Sequence, residues 1–451
     1  MDTNNYDVDE ISRLAGLFIE RNPSLADMGI DGYNEAVKNL QELKIILICG
    51  QSVGSSAALQ AALITAVNTG KRCFQGGVTV FIKESMPFLL PNKQPTTLNA
   101  ILMALDAKVV NKIIESDYSF CLTFGERAKE QESAEVVCNG WVGGICNSRE
   151  PISINSEPDF ALGGIFAGSL GIAHAFLKVS GEKPDACSSN IGLSLWRPDL
   201  NWQNEDAIGP EVKFLPQKYW LVGLGHLGQA FVWTLGLLPF KDFSRVIVSL
   251  QDDERVSKSN FDTGMLSEMS NVNKKKTRVC SEWLERLGIS TNIIERKFDK
   301  TFDRHHEEPG VLIRGLDTTK SRKEINFNNF LHVIDCGIGG TRSDFDNIAI
   351  YNFPECKKRP EEIWEDGDGN VINAANEKAM NFLGCGKYGK AISTSFVGAL
   401  ASTLVFSELI RAGFQGVKSS TISVSIRNIQ SDSYFGLKGN YSDELASNGF
   451  V

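Results

Sequence analysis

Apolar and polar positions along the first half of the chain predict short buried strands that alternate with longer helices. Residues 43–49 (LKIILIC) form a continuous apolar run, which is typical of a parallel strand covered on both faces. The turn GQSVG follows at 50–54, and the next elements are a helix over 55–67, a strand over 78–82 and a helix of small residues over 161–180. This alternation predicts an α/β domain.

The second half repeats the same order of elements. A strand is predicted at 219–222, the glycine-rich turn GLGHLG occupies 223–228, and a helix is predicted over 229–238. The remaining predicted elements are strands over 245–250 and 310–316 and a long helix of small residues over 391–412. Two rounds of strand and helix predict two doubly wound domains in tandem, each built on a mostly parallel sheet.

The length and composition agree with two globular domains. A chain of 451 residues is long for a single core, so we expect one domain over 1–200, a linker over 201–217 and a second domain over 218–451. Hydrophobic residues make up 42 % and charged residues 22 % of the chain, as in ordinary soluble proteins. The net charge of −9 argues against a nucleic-acid partner.

Neither a signal peptide nor a membrane span is expected. The N-terminus, MDTNNYDVDE, is acidic and polar, which is the opposite of a secretory signal. The longest apolar stretch, at 161–177, is short, rich in glycine and contains His174. We therefore predict a cytoplasmic protein that does not contact a membrane.

Ten cysteines are spread along the chain, and none belongs to a Cys-x-x-Cys pair. We therefore expect no structural zinc, and most of these thiols should be small buried residues in a reducing compartment.

The turn GLGHLG carries the first candidate chemistry. Gly223, Gly225 and Gly228 allow a tight turn in which phosphate groups approach the first amides of the following helix. By itself this pattern indicates only a nucleotide-binding site, and it occurs most often in nicotinamide oxidoreductases.

Acidic residues after the next strand narrow the interpretation. Asp252 follows that strand, where a carboxylate can accept both hydroxyl groups of a ribose. The segment DDERVSKSN at 252–260 also contains Glu254, Ser259 and Asn260. This spacing resembles the Asp-x-Asp/Glu-x-Val-x-x-Ser-Asn pattern of the ThiF/MoeB family, which includes the ubiquitin-activating enzymes.

Two later segments fit the same resemblance. The family places a lysine at the start of the next helix, and Lys276 matches it, although the run Lys274 to Lys276 leaves the register open. A lysine there neutralises charge on a leaving pyrophosphate. The family also has an Asp at the end of a later strand and an Arg five residues on, which correspond to Asp317 and Arg322.

The resemblance implies an ATP-dependent activating enzyme. It would adenylylate the C-terminal carboxylate of a ubiquitin-like protein, and Asp317 would hold Mg²⁺. The residues around ATP would be the three glycines of the turn, Asp252, Glu254, Asn260 and Arg322. Arg322 could also brace the loop. One departure is the segment FDTG at 261–264, where the family usually carries an arginine that reaches ATP.

Cys385 is the candidate nucleophile. It lies in a glycine-rich loop at 380–392, close to Lys387 and Lys390 and before the long helix, a setting that favours the thiolate. The loop resembles that of compact, autophagy-type activating enzymes. Cys356 is the rival, whereas Cys336 and Cys280 fit core positions better. In this reading Cys385 takes the acyl group as a thioester and passes it to a conjugating enzyme.

The first half looks like a degenerate copy that has lost its ATP chemistry. Its turn GQSVG lacks the third glycine, and no acidic pair follows its second strand. The family resemblance then implies an inactive half that forms an intramolecular pseudo-dimer with the active half. In relatives the inactive half lends an arginine to ATP. Arg13 and Arg21 lie in the corresponding region, although for either one a surface position is the simpler expectation.

The resemblance leaves other functions open. Adenylylation of a sulfur carrier without a thioester step is one alternative, and a scaffold that only binds a ubiquitin-like tail is another. A nicotinamide oxidoreductase would use the glycine turn alone. The compact size resembles standalone activating enzymes of bacterial conjugation operons, some of which are linked to antiviral defence. Two copies could also pair through their active halves.

Overall fold

The computed structural model of the chain describes residues 12–113, 118–127, 133–147, 158–299, 301–323, 330–364, 391–415, 417–429 and 435–440.

The first half is built from the elements that its apolar runs predict. Its helices are α1 (Ala15–Arg21), α2 (Pro23–Asp27), α3 (Ile30–Glu42), α4 (Ala57–Cys73), α5 (Leu98–Ala104) and α6 (Ala161–Val179). Its strands are β1 (Lys44–Cys49), β2 (Gly77–Ile82), β3 (Lys108–Val110), β4 (Phe120–Phe124), β5 (Ser133–Asn139), β6 (Val142–Asn147) and β7 (Ile191–Ser194). The strands form one sheet in the order β3-β2-β1-β4-β5-β6-β7. The first five are parallel, whereas β6 and β7 pair in antiparallel fashion.

The second half has the same plan. Its helices are α7 (His226–Leu237), α8 (Lys276–Leu287), α9 (Thr319–Lys323), α10 (Pro360–Ile363) and α11 (Ser395–Gln415). Its strands are β8 (Lys218–Val222), β9 (Ile247–Gln251), β10 (Ser290–Ile294), β11 (Val311–Arg314), β12 (His332–Ile338), β13 (Asn347–Phe353), β14 (Val417–Ser425) and β15 (Phe435–Asn440).

The eight strands of the second half run in the order β10-β9-β8-β11-β12-β13-β14-β15. The first five strands of that order are parallel to one another. Strands β13, β14 and β15 are each antiparallel to the preceding strand. The first seven strands therefore repeat the order of the first sheet, with β15 added at the edge. The predicted fold class of two tandem Rossmann-like domains is confirmed.

The two halves pack against each other through the helices α4, α6, α7 and α11. One continuous apolar core runs through both halves, and the Phe176 and Phe396 rings meet across it with centroids 5.9 Å apart. The indole of Trp233 donates a hydrogen bond to Thr65 Oγ1 at 3.0 Å, and Ser395 Oγ donates to the Thr69 carbonyl at 3.1 Å. The halves thus form an intramolecular pseudo-dimer with a shared interior.

Two helices of this interface, α6 and the Ser395–Phe414 part of α11, are long and apolar enough to cross a membrane by length and composition. In the protein 89 % and 94 % of their apolar windows are buried. Both helices are hydrophobic because they lie between two sheets, so their composition is explained by the core.

Several boundaries differ from the sequence prediction for a physical reason. Helix α4 continues to Cys73, well beyond the predicted end at residue 67. The added turn carries Asn68 and Arg72, polar residues that look like the end of a buried helix in the sequence. Both are buried here because they contact the second half. Helix α7 begins at His226, inside the glycine turn.

Candidate functional site

The glycine turn after β8 closes as the sequence predicts. Gly223 has φ +79°, a left-handed conformation that strongly favours glycine. A Cβ added there would lie 2.7 Å from the Gly315 carbonyl oxygen, at the end of the neighbouring strand β11. A Cβ on Gly228 would lie 2.0 Å from the Gly223 carbonyl oxygen, so the third glycine lets α7 pack closely against the turn.

Gly225 has a different environment from the other two glycines. A Cβ added to it would meet only the Lys276 ammonium nitrogen, 3.9 Å away. Gly225 is also the N-cap of α7, and no side chain caps that helix end. The space beside Gly225, at the uncapped start of α7, is therefore open and borders a lysine, and a helix N-terminus beside a lysine suits a phosphate group.

Asp252 connects the end of β9 to this turn. Its Oδ2 accepts a hydrogen bond from the Leu224 amide at 2.6 Å, and its Oδ1 accepts from the Glu254 amide at 2.7 Å. Burial raises the pKa of Asp252, while the Lys276 charge and the two amide donors lower it. Each oxygen keeps a second lone pair, so the same carboxylate can also accept hydrogen bonds from a ribose.

Glu254 and Lys276 form an ion pair beside the turn. Lys276 is the first residue of α8 and is buried, whereas the Glu254 side chain is 64 % exposed. Burial by itself raises the pKa of Glu254, but the charges of Lys276, Lys297 and Arg13 outweigh it and hold that pKa below its ordinary value.

The three consecutive lysines point to different partners. Lys274 pairs with Glu282, and Lys275 donates to the Asp253 carbonyl at 2.5 Å. Of the three, Lys276 is the one beside Gly225.

Asn260 shapes the loop after β9. Its Oδ1 accepts a hydrogen bond from the Ser257 amide at 3.0 Å, and its carbonyl accepts from the Gly264 amide at 2.7 Å. The side chain is buried and its oxygen is engaged in the turn. Direct binding of the cofactor by Asn260 stays a prediction. In the structure Asn260 braces the loop between Ser257 and Gly264.

Asp317 and Arg322 follow β11 at the carboxyl edge of the second sheet. Strand β11 is the neighbour of β8, so the exposed Asp317 lies at the same edge as the glycine turn. Arg322 donates two hydrogen bonds to the Leu316 carbonyl, at 2.9 and 2.8 Å, and one to the Cys336 carbonyl at 3.1 Å. Through these contacts Arg322 braces the loop that carries Asp317.

A buried ion pair supports this edge and was not found by sequence reasoning. Arg314 donates to Asp335 at 2.7 Å, and both side chains are fully buried. They are register partners on β11 and β12. Arg322 approaches the same carboxylate at 3.6 Å. The only signal in the sequence is a charged residue at the end of each of two apolar runs, GVLIR and HVID.

The two candidate arginines of the first half lie in different places. Arg21 is exposed and donates to the Ser180 carbonyl within its own half. Arg13 is partly buried. Its charge acts on Glu254 and on His226 in the glycine turn, which places Arg13 within electrostatic reach of the candidate site.

His226 connects the glycine turn to the chain before α11, and no pattern in the sequence singles it out. Its Nδ1 and Ser393 Oγ share a hydrogen bond at 2.7 Å. Burial and the nearby charge of Arg13 lower the pKa of His226 to about 3, so its imidazole is neutral at pH 7. Ser393 directly follows the segment that contains Cys385.

Cys385 lies outside the described residues, together with most of its loop, and its proposed role stays a prediction. Its rival, Cys356, is buried and packs among Trp220, Phe353 and Trp364. Cys336 and Cys280 are also buried, and burial raises the pKa of each thiol well above its ordinary value. In the described part of the chain no group of three or more His, Cys, Asp or Glu residues could hold a metal ion.

The corresponding helix end in the first half is occupied by the protein itself. Helix α4 follows β1 as α7 follows β8. Asp159 accepts hydrogen bonds from the Ala57 amide at 2.6 Å, the Ala58 amide at 2.7 Å and Ser56 Oγ at 2.9 Å. A carboxylate of the chain therefore lies where a phosphate would bind at the first amides of α4.

Comparison with known proteins points to one family. A model of the BilD N-terminal domain matches residues 44–195, and a model of the BilD C-terminal domain matches residues 215–416. The chain is 31 % identical over 426 residues to the bacterial E1-like protein BilD of Collimonas sp. (strain OK412), and this match covers 91 % of each chain.

Solved structures with a similar fold are more distant. A crystal structure of E. coli MccB with ATP is 15 % identical, with 70 % of this chain and 98 % of that chain covered and a TM-score of 0.35. A crystal structure of E. coli MccB with AMPCPP and MccA is also 15 % identical, with 68 % of this chain and 96 % of that chain covered and a TM-score of 0.35. The fold assignment rests on the strand order and not on these matches.

Proposed function

Because this chain belongs to the BilD family of bacterial E1-like proteins, we propose that it is an ATP-dependent activating enzyme for a ubiquitin-like protein. The carboxylate at the C-terminus of that protein attacks the α-phosphorus of ATP, and pyrophosphate leaves. The product is an acyl adenylate bound at the second half of the chain.

The observation that carries this proposal is the group of residues around Gly225. Open space lies beside Gly225, the N-cap of α7, and borders Lys276. Asp252 and Asp317 lie at the ends of the strands on either side of β8. Amides and a lysine suit the phosphates, and Asp252 suits the ribose. Charge that develops on the leaving pyrophosphate is stabilised by Lys276.

Asp317 fits the proposed magnesium ion because its exposed carboxylate lies at the sheet edge beside the phosphate site. Oxygen ligands of this kind suit Mg²⁺, which would neutralise phosphate charge when bound. Arg322 supports this role indirectly because it holds the loop after β11 to β12.

The division into an inactive and an active half has physical support. In the first half the carboxylate of Asp159 occupies the first amides of α4, and a phosphate would be repelled there. In the second half no side chain caps α7. We therefore assign ATP binding to the second half, with the first half as its structural partner.

The thioester step rests on the sequence around Cys385. Its thiolate would attack the acyl adenylate, form the thioester and release AMP, so that one difficult acyl transfer becomes two easier ones. A conjugating enzyme would then accept the acyl group. That partner, the pairing of two copies through their second halves, a role in antiviral defence and the cytoplasmic location stay predictions.

We expect ATP–pyrophosphate exchange that depends on a ubiquitin-like protein, measured with candidate proteins and labelled pyrophosphate. Asp317→Ala and Lys276→Ala should each lower the exchange rate at least about 100-fold, since each removes electrostatic stabilisation of the transition state. Lys274→Ala is the matched control and should change the rate less than about twofold, because Lys274 forms an exposed ion pair.

Cys385→Ala separates the two chemical steps. Exchange should persist in this variant, whereas the thiol-sensitive conjugate seen with wild type should disappear. A conjugate that persists without Cys385 would remove the nucleophile assignment. No exchange with any carrier protein would contradict the activating function itself.

A further inference from the structure

The chain that enters helix α11 is held by several distant parts of the molecule. We call residues 392–395, which precede and begin that helix, the junction. The Ile392 amide donates a hydrogen bond to the Gly340 carbonyl at 2.8 Å, just after β12. Ser395 Oγ donates to the Thr69 carbonyl of α4 at 3.1 Å. The junction is thus tied both to the carboxyl edge of the second sheet and to the first half.

A third contact of the junction goes to the glycine turn. Ser393 Oγ and His226 Nδ1 share a hydrogen bond at 2.7 Å. His226 is the first residue of α7 and directly follows Gly225, the N-cap that borders the open space beside Lys276. A side chain one residue from the candidate phosphate site therefore bonds to the chain that enters α11.

The His226 ring is packed closely against α11. A Cβ added to Gly398, in the first turn of that helix, would lie 2.6 Å from His226 Nε2 and 2.7 Å from its Cδ2. Burial and the nearby charge of Arg13 keep the imidazole neutral. The ring therefore holds the starts of α7 and α11 together by packing and by its hydrogen bond to Ser393, and not by charge.

This contact bears on the candidate phosphate site because the start of α7 has no side-chain cap. Gly225 has no side chain of its own, and phosphate binding at a helix N-terminus depends on the direction of the first amides. The hydrogen bond between His226 and Ser393 holds the residue that begins α7. It therefore contributes to the orientation of these amides.

A second pair of hydroxyl groups joins the same two helices farther from the site. Thr234 Oγ1 and Ser402 Oγ share a hydrogen bond at 2.5 Å, and both residues are buried. Thr234 lies about two turns, or about 12 Å, farther along α7 than His226. Ser402 thus makes the same kind of contact between the helices as Ser393, but away from the glycine turn.

We propose that Ser393 is a positioning residue for the nucleotide, which holds His226 and with it the first turn of α7 in the orientation that binds the phosphates. Coupling between two sites is reciprocal, so a nucleotide that stabilises the turn also stabilises the junction. The junction is where the chain that follows Cys385 enters α11. This inference rests on the proposed ATP site and adds a residue that aligns it.

The positioning role is tested by calorimetric titration of the full chain with AMPCPP in the presence of Mg²⁺. Ser393→Ala should weaken the Kd about fivefold, as expected when one hydrogen bond that orients the site is lost. Ser402→Ala is the matched control and should bind as wild type, although it also loses a buried hydroxyl contact between α7 and α11.

Variants of His226 show whether the two residues act through one contact. His226→Leu should weaken the Kd about as much as Ser393→Ala, and the double variant should bind no more weakly than either single variant. His226→Asn should bind more tightly than His226→Leu, because its amide group can still form a hydrogen bond with the Ser393 hydroxyl.

The reverse direction is tested by hydrogen–deuterium exchange at the Ile392 amide, which is bonded to the Gly340 carbonyl. Saturating AMPCPP should slow this exchange at least about threefold in wild type, because the nucleotide stabilises the turn to which the junction is tied. At saturation the slowing should persist in Ser402→Ala and disappear in Ser393→Ala. A purely structural role of Ser393 would not remove a change that depends on the nucleotide.

Three results would contradict the inference. They are wild-type affinity in Ser393→Ala, an equal loss of affinity in Ser402→Ala, and exchange at Ile392 that ignores AMPCPP in wild type. Thermal melting checks that each variant is folded, and Ser393→Ala, which removes a single oxygen atom, provides the readout if His226→Leu is not. Wild type that fails to bind AMPCPP would instead refute the ATP site and, with it, this role.

Discussion

At the scale of residues, the three glycines of GLGHLG have different structural roles, which the motif alone does not distinguish. Gly223 is needed for its positive φ, and Gly228 for the close approach of α7 to the turn. Gly225 is needed for neither reason, because its φ of −78° is ordinary and a Cβ there would touch no backbone. Its value lies in the open space that it leaves beside Lys276.

This difference predicts that an alanine substitution at Gly228 mainly lowers stability, whereas one at Gly225 mainly weakens nucleotide binding. Gly228→Ala should lower the free energy of unfolding by about 2 kcal/mol or more, since its Cβ would overlap the Gly223 carbonyl. Gly225→Ala should lose less stability in urea than Gly228→Ala but bind AMPCPP at least about tenfold more weakly, because the methyl group occupies the phosphate space. Wild-type affinity in Gly225→Ala would place the phosphates elsewhere.

At the scale of elements, helix α6 makes a polar contact across the interior that responds to pH. His174 Nε2 lies 3.0 Å from the Ile426 carbonyl oxygen, just after β14, and its Nδ1 has no hydrogen-bond partner in the described structure. Burial lowers the pKa of His174 from the ordinary value of 6.5 to about 4. The imidazole is therefore neutral and donates to the carbonyl over the physiological range.

The sign of the pH effect follows from the two states. Between pH 6.5 and about 4 the unfolded His174 is protonated and the native one is not, so the unfolded state binds more protons. The free energy of unfolding should therefore fall as the pH falls through this range, by up to about 1.4 kcal/mol per pH unit for this residue.

Urea unfolding at several pH values between 4.5 and 7 measures this slope, and His174→Gln should reduce it. The glutamine amide can still donate to the Ile426 carbonyl but does not titrate. His305→Gln, at an exposed position, is the control and should leave the slope unchanged. An unchanged slope in His174→Gln would mean that the native imidazole takes up a proton in the same range as the unfolded one.

At the scale of the whole molecule, the two halves are joined by polar contacts as well as by a shared apolar core. The fully buried Arg72 of α4 donates to the carbonyls of Phe261, Met265 and Ser267, at 2.6, 3.0 and 2.9 Å, and to Glu268 at 3.2 Å. These acceptors form the loop after Asn260. The first half therefore shapes a loop of the candidate site in the second half.

Arg72→Met should lower the free energy of unfolding by about 3 kcal/mol, because it leaves buried carbonyl groups without their donor. It should also weaken AMPCPP binding, because the loop that Arg72 holds follows Asn260 at the candidate site. Arg197→Met, which removes an exposed ion pair with Asp199, is the control and should change stability by less than about 1 kcal/mol. A comparable loss in both variants would show that Arg72 does not join the halves.

The sequence alone determined the fold class and the local parts of the candidate site. Apolar runs of strand length and the spacing of glycines, Asp252 and Lys276 identify these parts, because a parallel sheet brings the ends of neighbouring strands to one edge. Each of these residues acts within a few positions of a predicted strand or helix end. The local sequence pattern is therefore enough to locate these residues at the ends of the predicted elements.

Only the tertiary structure revealed the contacts between distant segments. The residues concerned look like ordinary charged residues in the sequence. They are Asp159 at the N-terminus of α4, Asp262, which accepts from the Arg13 amide, and the pair Arg314 and Asp335. Their partners are set by strand register and by the packing of one half on the other, which no local pattern encodes. A buried charge needs a partner, and in this protein the fold decides which residue that partner is.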